Sequence, residues 1–241
     1  MSYRIININK PTLFMYGSVQ QESHKVSSIR ELIEGLKGKK GTLIVPTGTY
    51  HEDVILPDGV SLIAGGYVQI IGTLTLEGEG VITSIDSDKI IVKGKRLGEK
   101  CNTSFVQIDS GYFSCYNSRV SRIVCVNGQF LIRNSTIGVN ELSVYSVTLK
   151  NGIGLVESST IEGSCMLHSG SVLDCKQTSV IGTDDLFQTE DETVTLQMFN
   201  CTVYGSNLVK SGPGTSIRAN VVALSDATVF EGGENVKIDS V

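Results

Sequence analysis

Four short stretches in the second half of the chain constrain its fold more than any other feature: RNSTIG, ESSTIEG, KQTSVIG and FNCTVYG. In each, a polar or small residue and Ser or Thr precede a β-branched residue, with glycine close behind; RANVVALS is a weakened copy. With Ile137, Ile161, Val180, Val203 and Val222 taken as equivalent, the steps are 24, 19, 23 and 19 residues. Turn signals precede most copies, at Asn127-Gly128, Asn151-Gly152, Ser169-Gly170 and Ser211-Gly212. A helix-free repeat of this length is a supersecondary unit that cannot bury its own apolar face, so it must stack on its neighbours. Three short strands and three turns fill one such unit. The expected fold is all-β: a right-handed parallel β-helix, or solenoid, whose coils hydrogen-bond to one another at roughly 4.8 Å spacing. About nine coils fit between Gly41 and the carboxyl end, a rod on the order of 40 Å long.

The first half fits the same scheme. From Gly41 onward, the runs TLIV, DVIL, SLIA, YVQIIG, LTLEG, VITSI and KIIVKG alternate with Gly, Asn, Asp and Ser, as short strands bounded by turns do. Before them, SSIRELIEGLKG reads as a single amphipathic helix over 28–37, with Ile29, Leu32, Ile33 and Leu36 on one face. Ser28 and Glu31 have capping-box spacing, and Gly38 supplies the stop. A solenoid's first coil leaves a strand edge and an apolar end uncovered, so this helix is expected to cap it. Residues 1–26 show no period and read as an amino-terminal arm, leaving 27–241 as one β-helix domain. The carboxyl end is expected to be closed by residues 224–241, by another subunit or by the arm.

Asn117, Asn134, Asn200 and Asn220 sit just ahead of the Ser/Thr-Val/Ile step, where a bend favours the left-handed backbone that asparagine tolerates. Stacked amides at such a bend can also bond from coil to coil.

The stretch GTLIVPTGTYHEDVILPDGVSLIAGG following the helix resembles the first coils of right-handed β-helix proteins of the pectin-lyase-like superfamily, especially pectin methylesterases. The residues carrying the likeness are Gly48, Tyr50, Glu52, Leu62, Ile63 and Gly65. The likeness, helix included, covers about forty residues at the amino end, and its residues are structural in kind, so the resemblance implies a fold and no catalytic residue. The family's Gln-Asp-Thr-Leu, Asp-Phe-Ile-Phe-Gly and Leu-Gly-Arg-Pro-Trp motifs are absent, as is tryptophan altogether. Tyr50, His51 and Glu52 are expected to stabilise the turn rather than line a groove.

Other chemistries find little support. A net charge of −5 argues against a general nucleic-acid binder, whose phosphate contacts need clustered Lys and Arg. The basic runs Lys37, Lys39, Lys40 and Lys93, Lys95, Arg96 read as solvated turns. No apolar span is long enough for a transmembrane helix. The amino terminus lacks the pattern of a secretory signal, so the product is expected to be cytoplasmic when synthesised or incorporated into a virion, unless a leader has been trimmed. Cys101, Cys115, Cys125, Cys165, Cys175 and Cys201 show no metal or redox spacing and are expected to pack as small apolar residues. Asn102, Asn134 and Asn200 open glycosylation triplets of the kind a Ser/Thr-rich repeat produces by chance.

Esterase or glycosidase chemistry needs paired carboxyl groups. Asp184 and Asp185 are adjacent, so on a strand they face opposite ways. Lyase chemistry needs acidic calcium ligands, for which Asp174, Asp184, Glu190 and Asp191 are the candidates, and a base from Arg119, Arg122 or Arg133, which one coil step brings near one another. His24, His51 and His168 lie in different regions. No catalytic, cofactor or metal site is therefore assigned. The expected function is a non-catalytic structural or adhesive module of an oligomeric surface or viral particle assembly, with a homo-oligomer or assembly protein as partner. Leu13–Tyr16 supplies an apolar arm segment to dock on a neighbour. The alternative is a carbohydrate-binding module, or a divergent polysaccharide esterase or lyase, that holds a glycan in a groove.

Overall fold

The computed structural model describes residues 28–138, 145–182, 185–189 and 194–205 in full. It also gives the backbone of the strands Ile5–Asn7, Thr12–Leu13, Asn207–Lys210, Ser216–Leu224, Phe230–Glu231 and Asn235–Ser240. The chain is a parallel β-solenoid with one short helix, Ile29–Gly35. Among the described residues no helix is long and apolar enough to cross a membrane.

Each coil passes through three strands, so the stack has three faces. The first face begins with Gly41–Val45 and continues through the starts of Val60–Leu76 and Glu79–Val92, then Lys95–Glu99, Gly111–Tyr116, Gly128–Arg133, Ile153–Glu157, Val172–Lys176 and the start of Thr195–Tyr204. The second face holds short runs such as Gly48–Tyr50, Arg119–Val120, Thr136–Gly138 and Thr160–Glu162. The third holds Val54–Leu56, Ile123–Val126, Tyr145–Lys150 and Ser164–Leu167. Gly41 to Thr195 completes eight turns, and Ser216–Leu224 and Asn235–Ser240 continue the stack. The turns are shorter between Glu79 and Gly128: Glu79 pairs with Lys95, Lys95 with Tyr112, and Gly111 with Gly128. The chain therefore fits in more coils than the period of the second half predicts.

Ile137, Ile161, Val180 and Val203 do pair rung to rung, and Val120 joins below Ile137. The fifth member is a correction: Leu224, not Val222, stands opposite Val203, because the last step is 21 residues and not the 19 expected. Asn220 is displaced likewise, since it pairs with Phe199 rather than with Asn200.

The recurring row has a precise physical meaning at the corner between the first and second faces. Ser84, Lys100, Asn117, Asn134, Ser158, Gln177 and Asn200 all have φ between 49° and 57°. After six of these comes a buried hydroxyl or thiol: Cys101, Ser118, Ser135, Ser159, Thr178 or Cys201. Ser118 Oγ accepts from Cys101 N at 3.0 Å, Ser135 Oγ from Ser118 N at 3.0 Å, and Ser159 Oγ from Ser135 N at 3.2 Å. Each serine hydroxyl donates to the carbonyl two residues before it, at 2.7 Å. The left-handed turn turns backbone donors inward, and the hydroxyl column answers them. Ser135→Ala leaves a buried N–H without its acceptor, with an expected cost of about 1–3 kcal/mol in urea unfolding. Ser135→Cys should cost less, since Cys101 and Cys201 fill the same column. The amide pair that bonds between coils stands at another corner, where Asn151 Nδ2 donates to Asn127 Oδ1 at 2.7 Å.

The helix is capped as expected at Ser28, whose Oγ accepts from Arg30 N at 3.1 Å. Glu31 stands in the first turn of the helix, and a further carboxylate at the cap is that of Glu52, from the first coil. Glu52 accepts from Ile29 N at 2.6 Å and from Ser28 Oγ at 2.7 Å. Ile29 is buried in the solenoid core, and Leu32, Ile33 and Leu36 pack against it. The helix thus closes the first coil, and Glu52 sets its angle. In the stretch expected to be a free arm, Ile5–Asn7 pairs in parallel with Thr42–Ile44 and antiparallel with Thr12–Leu13. Leu13 thereby lies opposite Ile6, while residues 14–16 and His24 lie outside the described residues.

Arg96 corrects the reading of its basic run as a solvated turn, because it is 2% exposed and points into the coil. Its Nη1 donates to Val60 O at 2.7 Å, and its Nη2 to Leu56 O at 3.0 Å and Pro57 O at 2.8 Å, with Glu77 O as a further acceptor. Burial lowers its pKa, while Asp58 and Glu77 pull it back up. Lys40, by contrast, is an exposed partner of Asp58.

Candidate functional site: a polar cleft on one corner

On the second face, the outward residues Gln69, Asp86, Asn102 and Arg119 occupy successive rungs. Asp88, Ser104 and Ser121 line the adjoining corner, and between the two rows lies a cleft of about 220 Å³. Its floor breaks the rule of the core. The inward column on this face reads Tyr50, Ile70, Ser87, Thr103, Val120, Ile137, so hydroxyls replace apolar side chains only in the two coils beneath the cleft. Ser87 Oγ donates to Thr103 Oγ1 at 3.3 Å, and Thr103 Oγ1 to Phe105 O at 3.4 Å.

The cleft walls mix donors and acceptors. Asn102 Nδ2 donates to Asp86 Oδ1 at 3.0 Å. Arg119 reaches along the stack to Glu162, with Nη2 3.8 Å from Oε2, an exposed pair of small energetic worth. Beside the cleft, Lys89 and Arg122 lie over the ring of Phe105 at 5.3 Å and 5.7 Å from its centroid, one on each neighbouring rung. Two carboxylates, two amides, a guanidinium and four hydroxyls are suited to hold a small polar ligand by hydrogen bonds.

The residues singled out in the sequence are dispersed. Tyr50 is buried and its hydroxyl donates to Pro46 O at 2.9 Å, His51 is exposed at the turn, and Glu52 caps the helix. Arg133 does not approach Arg119 or Arg122: it lies on the first face, where its Nε donates to Glu157 Oε2. Asp174 is also on the first face, 3.1 Å from Lys176 Nζ, whereas Asp185 begins a third-face strand. His168 follows a third-face strand far from His51. Asp184, Glu190 and Asp191 lie outside the described residues. Among the described residues no three His, Cys, Asp or Glu side chains gather to hold a metal ion.

All six cysteines are buried free thiols. Burial raises the pKa of Cys101 and Cys125 to about 11 and of Cys115 and Cys165 to about 12. A raised folded pKa means that their stabilising contribution is intact below the unfolded value near 9.0 and is lost as pH rises toward 11 or 12. The midpoint of thermal unfolding is therefore expected to fall steeply above about pH 9, and Cys165→Ala to soften that fall. Native thiols should resist alkylation at neutral pH until the chain is unfolded.

Cleft residues Gln69, Asp86, Ser87, Asp88 and Thr103 were not singled out from the sequence. The signal was present in SIDSDKI, where Ser87 occupies an inward position between apolar ones, but reading it required the coil register.

Fold and cleft together define a class: a parallel β-solenoid with a polar cleft at one corner. No protein-family model matches the chain, and no curated protein or solved structure is similar to it.

Proposed function

We propose that the chain is a non-catalytic β-solenoid module that acts as a rigid structural or adhesive part of an oligomeric surface or particle assembly. The observation that carries this reading is the use to which reactive groups are put. The hydroxyl column satisfies backbone amides, Glu52 caps a helix, Arg96 binds carbonyls, and the thiols are buried with raised pKa values. These commitments favour rigidity over turnover. Light scattering across a concentration series tests the reading: self-association, or co-assembly with proteins of the native particle, is expected, and a chain that is monomeric and unpartnered in both settings contradicts it.

The cleft favours a second reading, a glycan-binding module. Its amides, carboxylates and hydroxyls suit the vicinal diols of a sugar, and the resemblance of Gly48, Tyr50, Glu52, Leu62, Ile63 and Gly65 to pectin methylesterase coils supports the same class. On a glycan array, binding that is lost in Asn102→Ala and in Asp86→Ala promotes this reading. An array with no binding removes it.

A further inference from the structure

The outer surface of the first face carries an apolar middle column where a lone solenoid would carry polar side chains. Alternation places Phe113, Cys115, Phe130 and Ile132 inside, so the middle column outside reads Val81, Leu97, Ser114, Leu131, Leu155 over five successive rungs; Val81, Leu97 and Leu155 are half-buried, while Ser114 and Leu131 are already covered by their neighbours on the same face. Tyr112 and Tyr116 flank Ser114, and Ile153, at 45% exposure, flanks Leu155. A sheet apolar on both sides is a sheet that is covered on both sides.

We infer that this face pairs with the same face of a second copy, rods antiparallel, about a two-fold axis along the strand Gly111–Tyr116. The inference rests on the assembly reading above and specifies its contact. Charge and apolar register select the axis. With Gly111–Tyr116 on the axis, each rung before it faces the equally distant rung after it, in the same columns. Leu97 then faces the second copy's Leu131, Val81 faces Leu155, and Tyr112 and Tyr116 meet their own copies. Glu99 faces Arg133, twice by symmetry. Arg133 already gives Nε to Glu157, which leaves its terminal nitrogens for the second copy's Glu99.

Neighbouring registers fail. An axis one rung earlier sets Lys95 and Glu99 against themselves, and one rung later sets Arg133 against Arg133 and Leu97 against Asp174. Rods laid parallel set Asp174 against Asp174. Seven facing rungs at about 4.8 Å, five residues wide, give roughly 600 Å² of each face, the lower range for a stable pair, so the dimer should dissociate at micromolar concentrations.

Sedimentation velocity over a micromolar series tests this with charge reversals. Glu99→Arg alone and Arg133→Glu alone are each expected to weaken association at least tenfold, and the double variant to restore it; circular dichroism confirms that each remains folded. Leu97→Ser, an exchange in the half-buried part of the apolar column, should weaken association without a charge change. Association that is indifferent to all of these overturns the inference while leaving the assembly reading intact. Rescue of Glu99→Arg by Lys95→Glu rather than by Arg133→Glu also overturns it, in favour of parallel rods. A wild-type chain that stays monomeric at hundreds of micromolar overturns the inference, and only the native-particle experiment then bears on the assembly reading.

Discussion

Replacing Arg96 with methionine is expected to destabilise the protein by about 3 kcal/mol, read as a drop in the urea midpoint without a large change in slope. The aliphatic part of the side chain is conserved in the exchange, so the loss comes from the guanidinium. That group donates to carbonyls at two successive corner turns, Leu56, Pro57 and Val60 in one and Glu77 in the next. Leu56 O and Pro57 O keep backbone donors from Glu77 N and Val60 N, so the penalty stays below that of four orphaned acceptors. A second effect identifies the site. Gly80 lies against the guanidinium, and a Cβ there would stand 2.2 Å from Nη1 and 2.5 Å from Val60 O. Gly80→Ala should therefore be costly in the wild type and less costly beside methionine, a coupling that a double-mutant cycle measures. Additive costs would mean that the two residues do not touch.

Gly111→Ala is the second large effect, expected at about 4 kcal/mol or more. At the corner between the third and first faces, Gly94, Gly111, Gly128 and Gly152 stand in successive coils. Gly111 has φ +100°, and a Cβ on it would come within 2.3 Å of Gly94 O, a backbone atom with no rotamer to yield. The rungs would have to separate locally, breaking hydrogen bonds on both sides. Gly35→Ala is the control: nothing lies within 4 Å of its Cβ position, and the change is expected to be neutral within about 0.5 kcal/mol. Thermal unfolding followed at 218 nm, in the strand region of the spectrum, compares the two; equal midpoints would contradict the close-packed corner.

Much of this was legible in the sequence because a solenoid writes its period directly. The Ser/Thr-Ile/Val row located the left-handed corner and the inward column, since one residue's backbone conformation fixes the roles of the next three. The row ran out at Val222, because the last step takes 21 residues and the β-branched pair Val221-Val222 imitates the motif two residues early. The part of Glu52 at the helix cap was missed for a related reason: it arrives from the first coil, more than twenty residues on, where no local spacing announces it. Arg96 looked solvated beside Lys93 and Lys95, and only the alternation of the strand sends it inward under a glycine. The cleft was the least legible feature. Its residues come from four coils at intervals of 16 or 17, shorter than the period of the second half, so the wrong spacing hides their adjacency.

The in-register stack itself is tested most directly by spin-label distances along the outward column of the second face. Thr49 and Arg119 are four rungs apart, as are Arg119 and Thr202. Labels on cysteines introduced at these sites, with the native thiols buried, should give about 19 Å for each shorter pair and about 38 Å for Thr49 with Thr202. Distances that add in this way establish a straight ladder of coils; a Thr49–Thr202 distance well below the sum of the other two would contradict it.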